Sequence, residues 1–277
     1  MKKSFKIVIV FVLVLVSIIT LTGCKSDSNV IRVCASELPH ADILNNIVKE
    51  KLEKRGYKLE VTVLDWSLQN DAVANKDYDA NYFQHIPYLN TYSGKTKLFA
   101  TCKVHYEPLC IYYGKAKIEL NEGKTFAICS DESNAIRALQ LLYSKGVIED
   151  LPVENDKLTF STNTWTSKNG IQVTLIAEEL LAAALNDYDF CLLPCNTAYT
   201  AKVDSSRIVA KEDDIELLFK NANVLAAREE DYKNNTEYKN KIDALTDVLL
   251  SDDVCHYVIE KYGDIITCNK NTQSDLR

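Results

Sequence analysis

Asp79-Ala80-Asn81-Tyr82-Phe83-Gln84-His85-Ile86-Pro87-Tyr88 sets four rings, Tyr82, Phe83, His85 and Tyr88, within seven residues and beside two amides and an acid. The segment reads as a strand running into a helix, and at such a junction some of the rings face a cleft rather than the core. Trp66, just after the preceding strand, adds a fifth ring. A wall of this kind suits an apolar or polarizable group, including a thioether, whose sulfur gains ~0.3–1.5 kcal/mol per aromatic contact. Core packing plus a turn is the ordinary alternative for any single ring. The polar residues woven among them favour a site.

Outward from this segment, strand-like runs alternate with helical ones. Val30 to Ala35 reads as a strand, and Ala41 to Lys54 as a helix, with Ile43, Leu44, Ile47, Val48 and Leu52 at helical spacing. A second strand, Leu59 to Leu64, is followed by a short helix around Gln69 to Ala74. Further strands are expected at Leu98–Val104, Leu109–Tyr113, Thr125–Ile128, Phe190–Leu193 and Asn223–Ala227. Helices are expected at Glu132–Ser144, Thr174–Leu185, Tyr238–Leu250 and Asp252–Tyr262. Asn155 to Gly170 is polar and reads as a loop or a weak strand with turns. The alternation implies an α/β architecture with mainly parallel sheets.

Two more constellations follow strand ends. In Cys129-Ser130-Asp131-Glu132-Ser133-Asn134-Ala135-Ile136-Arg137, Ser130 or Asp131 can cap a helix, and Asn134 and Arg137 share one face of its first turns. An Arg there is a ready carboxylate receptor, because its fork matches two oxygens and the helix start favours an anion. Asn196, after an apolar strand, and Asn223, opening another, can each donate and accept, as a zwitterion needs. Asn is also common in turns, so each alone is weak. Serine-hydrolase, phosphate-loop and zinc-protease motifs are missing, so no catalytic residue, cofactor or metal is expected.

The first 23 residues hold three Lys and no acid; without them 29 basic residues face 39 acidic ones, a net charge of −10. An acidic chain with no long basic stretch is a poor nucleic-acid binder. Lys2, Lys3 and Lys6 precede an uncharged run from Ile7 to Cys24, the pattern of an export signal. Leu21-Thr22-Gly23-Cys24 resembles the lipobox of bacterial lipoproteins, in which the Cys is lipidated and becomes the new N-terminus. A retained membrane anchor with an incidental Cys is the alternative. The expected division is thus residues 1–23 as signal peptide, and 24–30 as lipidated Cys and tether. Eight further cysteines remain, most of them in apolar strand-like runs; mostly free thiols are expected, with at most one or two bridges.

Asp65-Trp66 through Asn70-Asp71-Ala72, then Asp79 through Leu89, resembles the methionine-binding lipoproteins of bacterial ABC importers, the NLPA lipoprotein family. Glu107-Pro108-Leu109, Ser133-Asn134 with Arg137-Ala138-Leu139, Asn196 with Tyr199, and Asn223 through Arg228 continue the likeness in order. The resemblance implies a two-lobed, type II periplasmic-binding-protein fold with two crossover segments. Lobe 1 would comprise 31–112 plus 224–277, and lobe 2 113–223. It implies an extracytoplasmic lipoprotein, lipid-anchored to the cell membrane by palmitate-bearing Cys24, that passes methionine to a permease and its ATPase. Trp66, Phe83, His85 and Tyr88 would surround the side chain. Arg137 would hold the carboxylate, with Asn134, Asn196 and Asn223 on the remaining polar atoms. Three departures bear on the ligand. Cys129-Ser130-Asp131 replaces a Pro-Asn-Asp-type turn, Lys157–Leu185 lacks the usual Pro and Gln, and Trp66 stands where Tyr is common. Another amino acid or a short peptide is therefore an alternative ligand. Adhesion or host contact on the same fold is an alternative role, and a thiol or metal enzyme built on the cysteines is a third.

Overall fold

The computed structural model describes residues 27–263, 265–269 and 272–277. The expected signal peptide and Cys24 lie outside them. Among the described residues no helix is long and apolar enough to cross a membrane.

The strands in chain order are β1 Val30–Ala35, β2 Lys58–Val63, β3 Ala80–His85, β4 Leu98–His105, β5 Leu109–Tyr113, β6 Thr125–Cys129, β7 Val153–Glu154 and β8 Lys157–Leu158. They continue as β9 Thr164–Thr166, β10 Gln172–Ile176, β11 Phe190–Pro194, β12 Ile208–Lys211, β13 Asn223–Arg228 and β14 Ser274–Asp275. They build two six-stranded sheets, β14-β4-β13-β3-β1-β2 and β12-β5-β11-β6-β10-β9, with β7 and β8 as a separate pair. Each sheet is the floor of one lobe of a two-lobed, type II periplasmic-binding-protein fold. The chain crosses twice, at residues 106–108 and 212–222.

In the second sheet each central strand is apolar on both faces, as a strand covered on two sides must be. Leu109, Ile111, Phe126, Ile128, Phe190 and Leu192 pack under the helix Glu132–Ser144 through Ala135, Ala138, Leu139 and Leu142. The alternate residues Cys110, Tyr112, Ala127, Cys129, Cys191 and Leu193 meet Leu181, Leu185, Cys195 and Ala198 on the opposite face. Asp131 starts the Glu132–Ser144 helix by accepting from the Asn134 amide at 3.0 Å. Fully burying one Leu here contributes ~1.5–3 kcal/mol, and truncating Leu139 to Ala would cost ~2–5 kcal/mol. The first sheet is covered by Thr236–Leu249 and Asp252–Tyr262 through Ile242, Leu245, Val248, Val254 and Val258.

Three expectations need correction. The sheets are mixed rather than mainly parallel, because each crossing brings strands in antiparallel: β13 against β3 and β4, β5 against β11 and β12. The helix expected at Thr174–Leu185 begins as strand β10, in parallel register with β6 from Gln172 to Ile176; helix resumes only at Glu178–Leu181. The Ala, Leu and Glu content that favours helix begins at Ala177, whereas Val173, Thr174 and Ile176 are β-branched and suit the strand. The sheets also divide the chain earlier than residue 112: β5 belongs to the second sheet, whereas Asn223 opens β13 of the first. The strand running into a helix expected at Asp79–Tyr88 is β3, followed by the helix Ile86–Leu89. Cys255 and Cys268 form a disulfide, and Cys34, Cys102, Cys110, Cys129, Cys191 and Cys195 are free and buried.

Candidate functional site

Strand β3 carries the aromatic segment into the space between the lobes. Its pairing with β13 slips between Val224 and Leu225, leaving Phe83 as the extra residue. A bulge bends the strand and re-aims side chains. Phe83, Gln84 and His85 therefore all reach the cavity, where strict alternation would send every second residue away. Asp65 caps the next wall, accepting from the Ser67 amide at 2.9 Å and so fixing Trp66 at the first turn of Trp66–Ala74. Trp66 and Phe83 each meet Tyr88 edge to face, at 5.2 and 5.9 Å between ring centroids.

The cavity holds about 340 Å³, and all eight residues singled out in the sequence line it: Trp66, Phe83, His85, Tyr88, Asn134, Arg137, Asn196 and Asn223. That volume is near the lower end for small-molecule sites, ~300–1,000 Å³. Sequence reasoning missed its carboxylates: Glu37, Glu107, Glu178 and Glu179 also line the wall. Glu107 stood in a quoted motif and went unread as a site residue. Glu178 and Glu179 were hidden in the run assigned to a helix.

His85 joins the lobes. Its Nδ1 accepts from the Tyr88 amide at 3.1 Å, so Nε2 carries the proton and donates to Asn134 Oδ1 at 3.0 Å. Burial, reinforced by the nearby Arg137 charge, pulls its pKa down to about 4, so the ring is neutral. Asn134 is committed on both ends, since its Nδ2 donates to Asp131 Oδ2 at 2.8 Å. Asn223 Oδ1 lies 3.0 Å from His40 Nε2. Asn196 is half-buried, and Thr197 donates to its Oδ1 only weakly, at 3.5 Å.

Arg137 is less free than its sequence context suggested. Its Nε lies 2.8 and 3.0 Å from the two oxygens of Glu212, and Nη2 donates to Glu212 Oε2 at 2.5 Å and to the Glu107 carbonyl at 2.7 Å. Nη1 has no hydrogen-bond partner among the described residues. Glu212 also accepts from the Tyr106 hydroxyl and, at 2.9 Å, from the Leu109 amide. Because Tyr106 and Glu212 stand on the two crossings, their bond ties the hinge together behind Arg137, which lines the cavity.

With Arg137 largely neutralised by Glu212, the cavity wall is acidic. Burial lifts the Glu107 and Glu178 carboxyls to about 7, and Asp131 and Glu107 add to the effect at Glu178. Glu178 accepts from Thr197 Oγ1 at 2.7 Å. Two sets of metal-type ligand atoms come within 4.8 Å of one another, His40/His105/Glu107 and Cys129/Asp131/Glu178. In the first, His105 bridges Tyr82 and Glu107 at 2.5 and 2.9 Å. In the second, Cys129 Sγ lies 2.9 Å from Asp131. Internal hydrogen bonds thus already engage both sets.

The family model for NlpA lipoprotein matches residues 31–267. The chain belongs to the NlpA lipoprotein family. The methionine-binding lipoprotein MetQ of Bacillus subtilis is 33% identical over 279 residues, covering 96% of this chain and 98% of that protein. A solved structure from Ruminococcus gnavus has a TM-score of 0.76 at 31% identity, covering 87% of this chain and 100% of its own. A nutrient binding protein from Burkholderia cenocepacia, solved bound to methionine, superposes with a TM-score of 0.74 at 23% identity over 86% of this chain and 99% of its own. That last likeness carries the fold alone.

Proposed function

We propose that this NlpA-family chain is the extracytoplasmic receptor of an ABC importer and captures methionine or a close relative between its lobes. The observation that carries the reading is the make-up of the cavity wall: Trp66, Phe83, Tyr88 and a neutral His85 clustered on the first lobe, with carboxylates, amides and a partly committed Arg137 around the rest. The thioether packs against Trp66, Phe83 and Tyr88, His85 borders it, and the ammonium faces the Glu107 and Glu178 carboxylates. The carboxylate takes Nη1 of Arg137 together with the amides of Asn196 and Asn223. The Bacillus subtilis relative's name supports the ligand, and the lipobox-like Cys24 supports an anchor on the outer face of the cell membrane. The partners are then a membrane permease and its ATPase, with no catalytic step in this chain.

Titration calorimetry of the purified protein, stripped of small molecules by partial unfolding and refolding, tests this. Saturable heat with methionine at one site per chain is expected. A folded protein that takes up no amino acid would reject the reading and leave adhesion or host contact. The extra acids Glu178 and Glu179 favour one second ligand class, a short peptide whose amino end lies deeper in the acidic half. Competition of a methionine-containing dipeptide against methionine separates the two.

A further inference from the structure

We propose that Cys110 and Cys195 are a dithiol–disulfide pair, a second redox bond that fastens the cavity's second-lobe wall to the hinge strand. Their sulfurs lie 3.0 Å apart, inside ordinary non-bonded contact and ~1 Å from the ~2.05 Å of a disulfide. The backbone sets this up. Strand β11 runs antiparallel to β5 with Leu193 opposite Cys110 and Pro194 opposite Leu109, and the Cys195 amide continues the ladder to the Pro108 carbonyl at 3.0 Å. Both side chains emerge on the same face of the sheet. Among the other free thiols, Cys34, Cys102 and Cys129 each meet an oxygen.

The position matters because Pro194, Asn196 and Thr197, which flank Cys195, line the cavity, and Pro108 lies in the first crossing. Closing the bond fixes that turn to the strand that leaves the hinge. The co-reactant is a low-molecular-weight disulfide such as oxidised glutathione. Cys195 loses a proton and its thiolate attacks one glutathione sulfur, releasing one glutathione thiolate and leaving a mixed disulfide. Cys110, deprotonated in turn, attacks the Cys195 sulfur and releases the second, so one small disulfide becomes two thiols and two cysteines become one bond. Hydrogen bonds from Cys110 and Tyr112 hold the Cys195 thiol below its usual pKa, which makes it the first attacker.

The test is refolding of the purified protein across a series of reduced-to-oxidised glutathione ratios, followed by alkylation in denaturant and non-reducing peptide mapping. The expected result is a linked Cys110–Cys195 peptide pair alongside Cys255–Cys268. The oxidised form should show slower amide exchange in residues 194–198 than the reduced form, and Cys110→Ser should erase that difference while Cys255–Cys268 persists. Alkylated Cys110 and Cys195 at every ratio would overturn the proposal, as would a link from either to another cysteine. If Cys110→Ser fails to fold, the mapping of the unmodified chain still decides.

Discussion

The two walls of the cavity are built on opposite principles. The first lobe offers Trp66, Phe83, Tyr88 and one imidazole, His85. His85 and two histidines outside the lining, His40 and His105, are all buried, with pKa values pulled down to about 4, 4 and 3, chiefly by loss of water. The second lobe offers carboxylates, and burial pushes Glu178 up to about 7. The buried histidines have lost capacity to hold protons, and the buried carboxyls of Glu107 and Glu178 have gained it. The same desolvation therefore makes an apolar seat on one side and a cation-seeking one on the other, and a ligand with one apolar and one charged end fits in one orientation.

The largest expected effect lies where the walls share a support. Arg137→Ala leaves Glu212 buried without its partner, and urea denaturation should show a loss of about 3–5 kcal/mol. An Arg137→Met, Glu212→Leu double variant should recover much of that stability while methionine binding stays weak. If the double variant binds like the unmodified chain, Arg137 serves the hinge and not the ligand.

Next comes the apolar wall alone. Phe83→Ala should weaken methionine by about 2 kcal/mol, roughly 30-fold, as truncating a central aromatic anchor does, with the fold intact by circular dichroism. An unchanged affinity by calorimetry would remove the rings from the seat.

A smaller effect separates the acidic wall. Because free Glu178 holds its proton up to about pH 7, an ammonium ligand must displace it below that point. Affinity should rise by at most about tenfold per pH unit up to neutrality and then level off. Glu178→Gln should flatten the curve. A profile that stays steep in that variant would assign the proton to Glu107.

The finest test compares the lobes' stability. The histidines bind fewer protons folded than unfolded, so their contribution is full above about pH 6.5 and is lost as pH falls toward 4. Glu178 binds more protons folded, so its contribution grows as pH falls from 7 to 4.5. Amide exchange should therefore quicken first in the first lobe, around β3 and β4, on acidification. Equal quickening in β10 would erase the contrast.

How much of this was legible in the sequence follows from how local each feature is. β1, the Glu132–Ser144 helix and the Asp252–Tyr262 helix are where periodicity set them, because each buries a stripe its own residues define. The eight lining residues stood in the outer parts of strands or in the first turns of the helices beside them, where a sheet delivers side chains to a cleft. β10 escaped because the Ala-, Leu- and Glu-rich run that follows it extends a helical pattern back over its strand-forming Thr174 and Ile176. Glu212 escaped because no local pattern announces a partner 75 residues from Arg137. The bulge at Phe83 has no Gly or Pro to mark it.

The His85–Asn134 bond joins the two lobes across the cavity. Parting the lobes breaks it, so a guest that enters by that parting meets the unlatched form. Its apparent affinity is the intrinsic one scaled by that unlatched fraction. Selectivity and sensitivity are thereby set by different parts of the molecule: the walls choose what is held, and one imidazole–amide contact sets how much of the protein is ready to hold it.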